Sequence, residues 1–159
     1  MFGLFESPPF RDPVLGELKR SRGYWRGSLA LAADQSLPLA LCGSRKQPDP
    51  QAVALALAIP AAFDAWRAPM EHALFEHYGP YAESIATEEP ESSTETLPTI
   101  HTSSHVWPHV TFQFISVTPL ANVLTVELGL AVAWDEEHTL GARFQAGKLF
   151  ELNGSVLPP

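Results

Sequence analysis

Sulfur chemistry is almost missing from this chain, which has a single cysteine, Cys42, and two methionines. One cysteine excludes an internal disulfide framework and fits a reducing compartment. Long apolar runs are missing too. The longest, Ala52 to Phe63, is broken by Pro60 and falls well short of the roughly 20 residues that cross a bilayer. Met1 to Pro9 have neither the basic start nor the unbroken apolar stretch of a secretory signal, so a cytoplasmic location is expected. Without export, Asn153-Gly154-Ser155 reads as a turn and not as a glycosylation site.

The usual marks of an enzyme are absent as well. The chain has no Gly-x-Gly-x-x-Gly, no phosphate loop ending in Gly-Lys-Ser or Gly-Lys-Thr, no His-Glu-x-x-His and no Gly-x-Ser-x-Gly. Cys42 lies in an apolar stretch, where a thiol serves as packing and not as a nucleophile.

Positive charge is lacking over one long region. Residues 68–142 carry no Lys or Arg but eleven Asp and Glu, whereas residues 1–67 carry eight basic and six acidic side chains. Most of the net charge of −8 therefore sits in the second half. Such a stretch projects a negative field that repels nucleic acid and anionic membrane and favours a basic protein partner. Lys19, Arg20, Arg22 and Arg26 form only a small basic cluster against it.

What is present describes a core. With 159 residues and 45% hydrophobic content, the chain is expected to be one domain, residues 1–159. Val14–Leu18 and Tyr24–Leu31 read as a hairpin around Lys19–Gly23, followed by a strand over Leu37–Cys42 whose Pro38 suits an edge or a strand end. Asp49-Pro50 opens a helix, because the carboxylate accepts orphan amides and proline at the first position gives up no hydrogen bond. Pro60 is expected to kink or restart it, and a second helix spans about Pro69 to Ser84 with Met70, Leu74, Phe75 and Tyr78 on one stripe. Residues 87–98 are acidic and almost without large apolar side chains, which predicts a mobile loop. Alternation then returns in Val110–Phe114, in Val126, Leu128, Leu130, Val132 and Trp134, and in a closing hairpin, Leu140–Phe144 with Leu149–Leu152, around Ala146-Gly147. The expected class is α+β: a mostly antiparallel sheet with a two-helix layer on one face, in the order β-β-β-α-α-β-β-β-β.

Two constellations carry candidate chemistry. Trp134-Asp135-Glu136-Glu137-His138 sets three carboxylates beside an imidazole, an arrangement suited to zinc or manganese or to acid/base work; Asp135, Glu137 and His138 are the candidate ligands. The plainer reading is a strand-end turn in which a carboxylate accepts backbone amides and Trp134 closes the core. His101, His105 and His109 recur at spacing four, but Pro98 and Pro108 break a helix there, and in a strand their neighbours stand about 13 Å apart, too far for one metal. His72 and His77 read as ordinary helix-surface residues.

The run Val132 to Phe144, with Gly147 and Glu151–Val156 after it, resembles the C-terminal Trp-Asp-Glu-Glu-His-x-Leu-Gly signature of uncharacterised bacterial domains of unknown function. Asp12–Leu18 and Tyr24–Gly27 resemble their N-terminal hairpin. The resemblance touches about a third of the chain and implies fold and origin, with an immunity-like role against polymorphic toxins for some members; it carries over no catalytic residue. The expected function is a non-enzymatic protein-binding module whose acidic face, residues 71–95 and 135–137 with Glu88, Glu89 and Glu91 as candidate binding residues, meets a basic partner. The alternatives are a metal-binding protein or metal-dependent enzyme built on Asp135, Glu137 and His138, and a homodimer formed through a sheet edge.

Overall fold

The computed structural model describes residues 6–32, 34–87 and 97–159. Eight strands form one sheet in chain order: β1 (Phe10–Asp12), β2 (Gly16–Ser21), β3 (Tyr24–Ala32), β4 (Gln35–Leu41), β5 (Val110–Leu120), β6 (Val123–Val132), β7 (Asp135–Gln145) and β8 (Lys148–Asn153). Every neighbouring pair is antiparallel except β4 with β5. A parallel pair needs a long crossover, and one helix, α1 (Pro50–Thr87), lies in it. The α+β class thus holds, with one strand more than expected: Phe10–Asp12 is an added edge strand. Its turn is closed by the Asp12 carboxylate, which accepts the amides of Val14 and Leu15 at 2.8 Å.

Three hairpins close on two residues with positive φ, the turn whose twist matches paired strands. They are Arg22-Gly23 (52°, 84°), Ala121-Asn122 (51°, 65°) and Ala146-Gly147 (49°, 75°). The first is tighter than expected, because β2 runs on to Ser21. Pro38 lies inside β4, opposite Ser28 of β3, and the β5 ladder begins only at Leu39. Proline therefore sits where β4 has a strand on one side alone.

The two-helix layer is the main correction. Residues 50–87 form one helix with Pro60, Pro69 and Pro80 inside it. Its start is as expected: Asp49 Oδ1 accepts the amides of Gln51 and Ala52 at 2.8 and 3.1 Å. The three prolines all lie on the outer, exposed side. A buried stripe of Ala52, Ala56, Ile59, Trp66, Met70, Leu74 and Tyr78 runs past Pro60 and Pro69 without changing phase. Burial of that stripe offsets the roughly 3 kcal/mol that each internal proline costs.

That stripe packs on Leu18, Trp25, Leu29, Leu39, Leu41, Ile115, Val117, Val126, Leu128, Leu130, Leu140 and Phe144. Trp66 stacks on Phe144 at 4.0 Å between ring centroids and donates to the Gly147 carbonyl at 3.1 Å. Trp134 is buried in this core as expected, although β6 ends at Val132 and Trp134 belongs to the following turn. A bulge between Phe112 and Phe114 sends Phe114 to the opposite face. There its ring occupies the space where a Cβ on Gly129 would stand, at 2.1 Å from Phe114 Cε1. The residues expected as a mobile loop, 87–98, fall mostly outside the described residues.

Candidate functional site

Two turns of α1 meet the β6–β7 turn at one end of the molecule. Tyr81 donates its hydroxyl proton to Asp135 Oδ2 at 2.7 Å, and His138 Nδ1 lies 3.0 Å from both oxygens of the same carboxylate. The backbone amide of Glu137 also donates to Asp135. Asp135 is thus a buried carboxylate, with its side chain 5% exposed, surrounded by donors. Burial pushes its pKa up, but the bonds from Tyr81 and His138, the charge of His138 and the Glu137 amide outweigh burial and leave it below the ordinary value. The same hydrogen bond, with burial and the charges of Asp135 and Glu137, raises the pKa of Tyr81.

One turn earlier, His77 Nδ1 accepts the indole N–H of Trp134 at 2.9 Å. That bond requires an unprotonated Nδ1. Burial lowers the His77 pKa first, Asp135 opposes this, and the neighbouring His138 lowers it further. His77 is therefore not the surface residue the sequence suggested, and neither His77 nor Tyr81 was singled out for this site. A signal existed: 70, 74, 77, 78 and 81 continue one helical stripe, so polar groups at 77 and 81 had to find partners on the sheet.

The sequence candidates divide between a joined and a separate set. Asp135 and His138 come together, with Asp135 fixing the tautomer so that Nε2 of His138 points away from the pair. Glu136 and Glu137 are exposed between them at the start of β7. The Asp135 carboxylate is fully engaged by internal donors, and among the described residues no group of three His, Cys, Asp or Glu is placed to hold a metal ion. His101 and His105 are exposed on a loop with two short 3-10 turns, and of His109 it is the backbone carbonyl that is engaged, accepting the Ala133 amide at 2.9 Å. Burial and then Asp49 raise the Cys42 pKa, which keeps the thiol protonated.

The carboxylates of this end split by role. Glu71 accepts the indole N–H of Trp107, whose ring also lies under Arg67 at 5.2 Å, so it is part of the packing. Glu76 and Glu83 project from the outer side of α1, and Glu76 meets only His72, at 3.1 Å. Glu136 and Glu137 follow the Tyr81-bonded Asp135 directly in β7, and the charge of Glu137 acts on Tyr81. Glu88, Glu89 and Glu91 lie outside the described residues. Among the described residues no helix is long and apolar enough to cross a membrane. Residues 14–155 match the family model described as Domain of unknown function (DUF6985). No curated protein and no solved structure matches the chain.

Proposed function

We propose, for a chain that belongs to the family described as Domain of unknown function (DUF6985), a non-enzymatic protein-binding role in which an acidic face receives a basic partner. The observation that supports this reading is the Tyr81–Asp135 bond, which joins the start of β7, with its exposed Glu136 and Glu137, to the half of α1 that carries the exposed Glu76 and Glu83. No Lys or Arg occurs between residues 68 and 142 to neutralise them. Fixed like charges on one face steer a cationic partner and reject anionic ones. Glu88, Glu89 and Glu91, next after α1 in the sequence, add to the negative charge of this cation-free stretch. The resemblance to bacterial domains with immunity-like members agrees with such a role, which would be exercised in the cytoplasm. The test is nuclear magnetic resonance with a cationic and an anionic nitroxide of equal size. The cationic probe should broaden amides of residues 76–83 and 135–138 more than the anionic one at low salt, and equal broadening would remove the face.

A second reading rests on the Asp135–His138 pair. A carboxylate that orients an imidazole through Nδ1 is the support that metal-bound histidines use, and it leaves Nε2 of His138 as a ligand with Glu137 beside it in the chain. Zinc or manganese is the candidate ion. The purified protein should then gain thermal stability with one ion and lose it with chelator. An unchanged melting temperature in both would eliminate this reading.

A further inference from the structure

The sheet face away from α1 is crossed by the chain's own last residues. After β8, Ser155 N–H donates to Asn153 Oδ1 at 3.0 Å, and the chain turns back over β7. Val156 N–H then donates to the Thr139 carbonyl at 2.8 Å. The Val156 side chain fills the hollow left by Gly141, where an added Cβ would stand 2.8 Å from Val156 Cγ1. The Pro159 carbonyl accepts from Arg26 Nη1 of β3 at 2.7 Å. Leu157, in contrast, is 87% exposed and only borders the larger cavity.

This segment does not fill its groove. Two cavities of about 290 and 210 Å³ share Pro158 and Pro159 as a wall. The larger is lined by Tyr24, Ser116, Thr118, Glu127 and Arg143, the smaller by Pro38, Ala40, Gln113 and Phe114. Its floor is a cross-strand row in register, Arg26, Ala40, Ser116, Glu127, Arg143 and Glu151. Arg143 is held there by Glu127 at 2.6 Å and Glu151 at 3.0 Å, so the floor is rigid and pre-formed.

We infer that this groove docks an extended, proline-bearing segment of a partner protein, and that residues 155–159 are an intramolecular occupant which the partner displaces. The seated segment itself defines what the groove reads. A small β-branched side chain enters the Gly141 hollow, and one backbone amide meets Thr139. Two prolines hold the chain extended at little entropic cost, and one carbonyl meets Arg26. Two hydrogen bonds and one half-buried valine make a weak hold. What keeps it filled is tethering, since a short linker supplies an effective concentration on the order of millimolar. A partner segment making the same contacts and filling the two cavities would replace it. The groove is on the opposite side of the sheet from α1, so this inference stands apart from the acidic-face reading.

The test uses the full chain with its own segment unseated by Val156→Asp and Pro158→Gly, both outside the groove walls of the sheet. The probe is the amidated peptide Ser-Val-Leu-Pro-Pro, titrated against labelled protein. The unseated chain should show peptide-induced shifts at Gly129, Gly141 and Arg143 at concentrations at least about tenfold lower than the unaltered chain requires, because the tethered competitor is gone. Adding Gly141→Val or, independently, Arg26→Gln to the unseated chain should abolish those shifts. The inference is overturned if the unseated chain keeps a folded spectrum and ignores millimolar peptide. Equal affinity in unaltered and unseated chains would overturn it too, as would equal binding of a peptide with Asp in place of Val.

Discussion

The two halves of α1 are held to the sheet by different forces. From Pro50 to Phe63 the helix carries no charged side chain and buries small or branched residues, Ala52, Ala56 and Ile59. From Trp66 onward it buries large aromatic and sulfur-bearing residues and adds polar ties: Trp66 to Gly147, Tyr78 to Pro98, His77 to Trp134 and Tyr81 to Asp135. Apolar contact is non-directional and holds the first half wherever shapes fit. Hydrogen bonds are directional, and those of the part-buried His77 and Tyr81 tie the second half to Trp134 and Asp135 in one arrangement. The exposed carboxylates belong to that arrangement, which is why we place function at this end.

The second half of α1 depends most on Trp134, which is buried and bonded to His77. Trp134→Ala removes a core side chain and the partner of His77, and a loss of about 3–5 kcal/mol in chemical denaturation is expected. A cooperative, near-normal unfolding curve would show that the second half does not depend on this turn. Tyr81→Phe should cost about 1.5–3 kcal/mol, the range for a hydrogen bond to a charged group, because Asp135 stays buried with one donor fewer. The matched change in the first half, Ala58→Glu on its exposed side, should fall within about 0.5 kcal/mol.

Acid should act on the second half first. The folded chain holds His77 below its ordinary pKa, so the unfolded chain takes up that proton more readily. Its contribution is whole above about pH 6.5 and declines as pH falls below that value. Asp135 is also held low, so its contribution persists to about pH 4 and is lost as pH drops through its folded value. The melting temperature should therefore decline in two stages, and His77→Gln should remove the upper one. A His77→Gln variant that still loses stability between pH 6.5 and 5 would assign that stage to another group.

The strands were legible because alternation and two-residue turns are local. Val126, Leu128, Leu130 and Val132 announce a buried face, and Ala146-Gly147 announces its turn. The helix was misread at Pro60 and Pro69 because a local rule about proline was set against a stripe that continues past both, and tertiary burial prevails over propensity. Asp135 and His138 were visible as neighbours in sequence. The helical stripe carries Tyr81 and His77 to the sheet side, but their partners lie more than fifty residues away and no spacing encodes that pairing.

An acidic end that receives a basic protein should reveal itself in the dependence of association rate on ionic strength. A partner recovered by pull-down should bind fast at low salt and slower as salt rises, because screening shortens the reach of the field. Reversing Glu83, Glu136 and Glu137 together, or Glu88, Glu89 and Glu91 together, should lower the low-salt rate about tenfold or more with little change in melting temperature. Asp34→Lys, in the N-terminal region, should leave the rate nearly unchanged. A rate indifferent to salt and to both triple reversals would contradict the claim and reduce the carboxylates to solubilising surface.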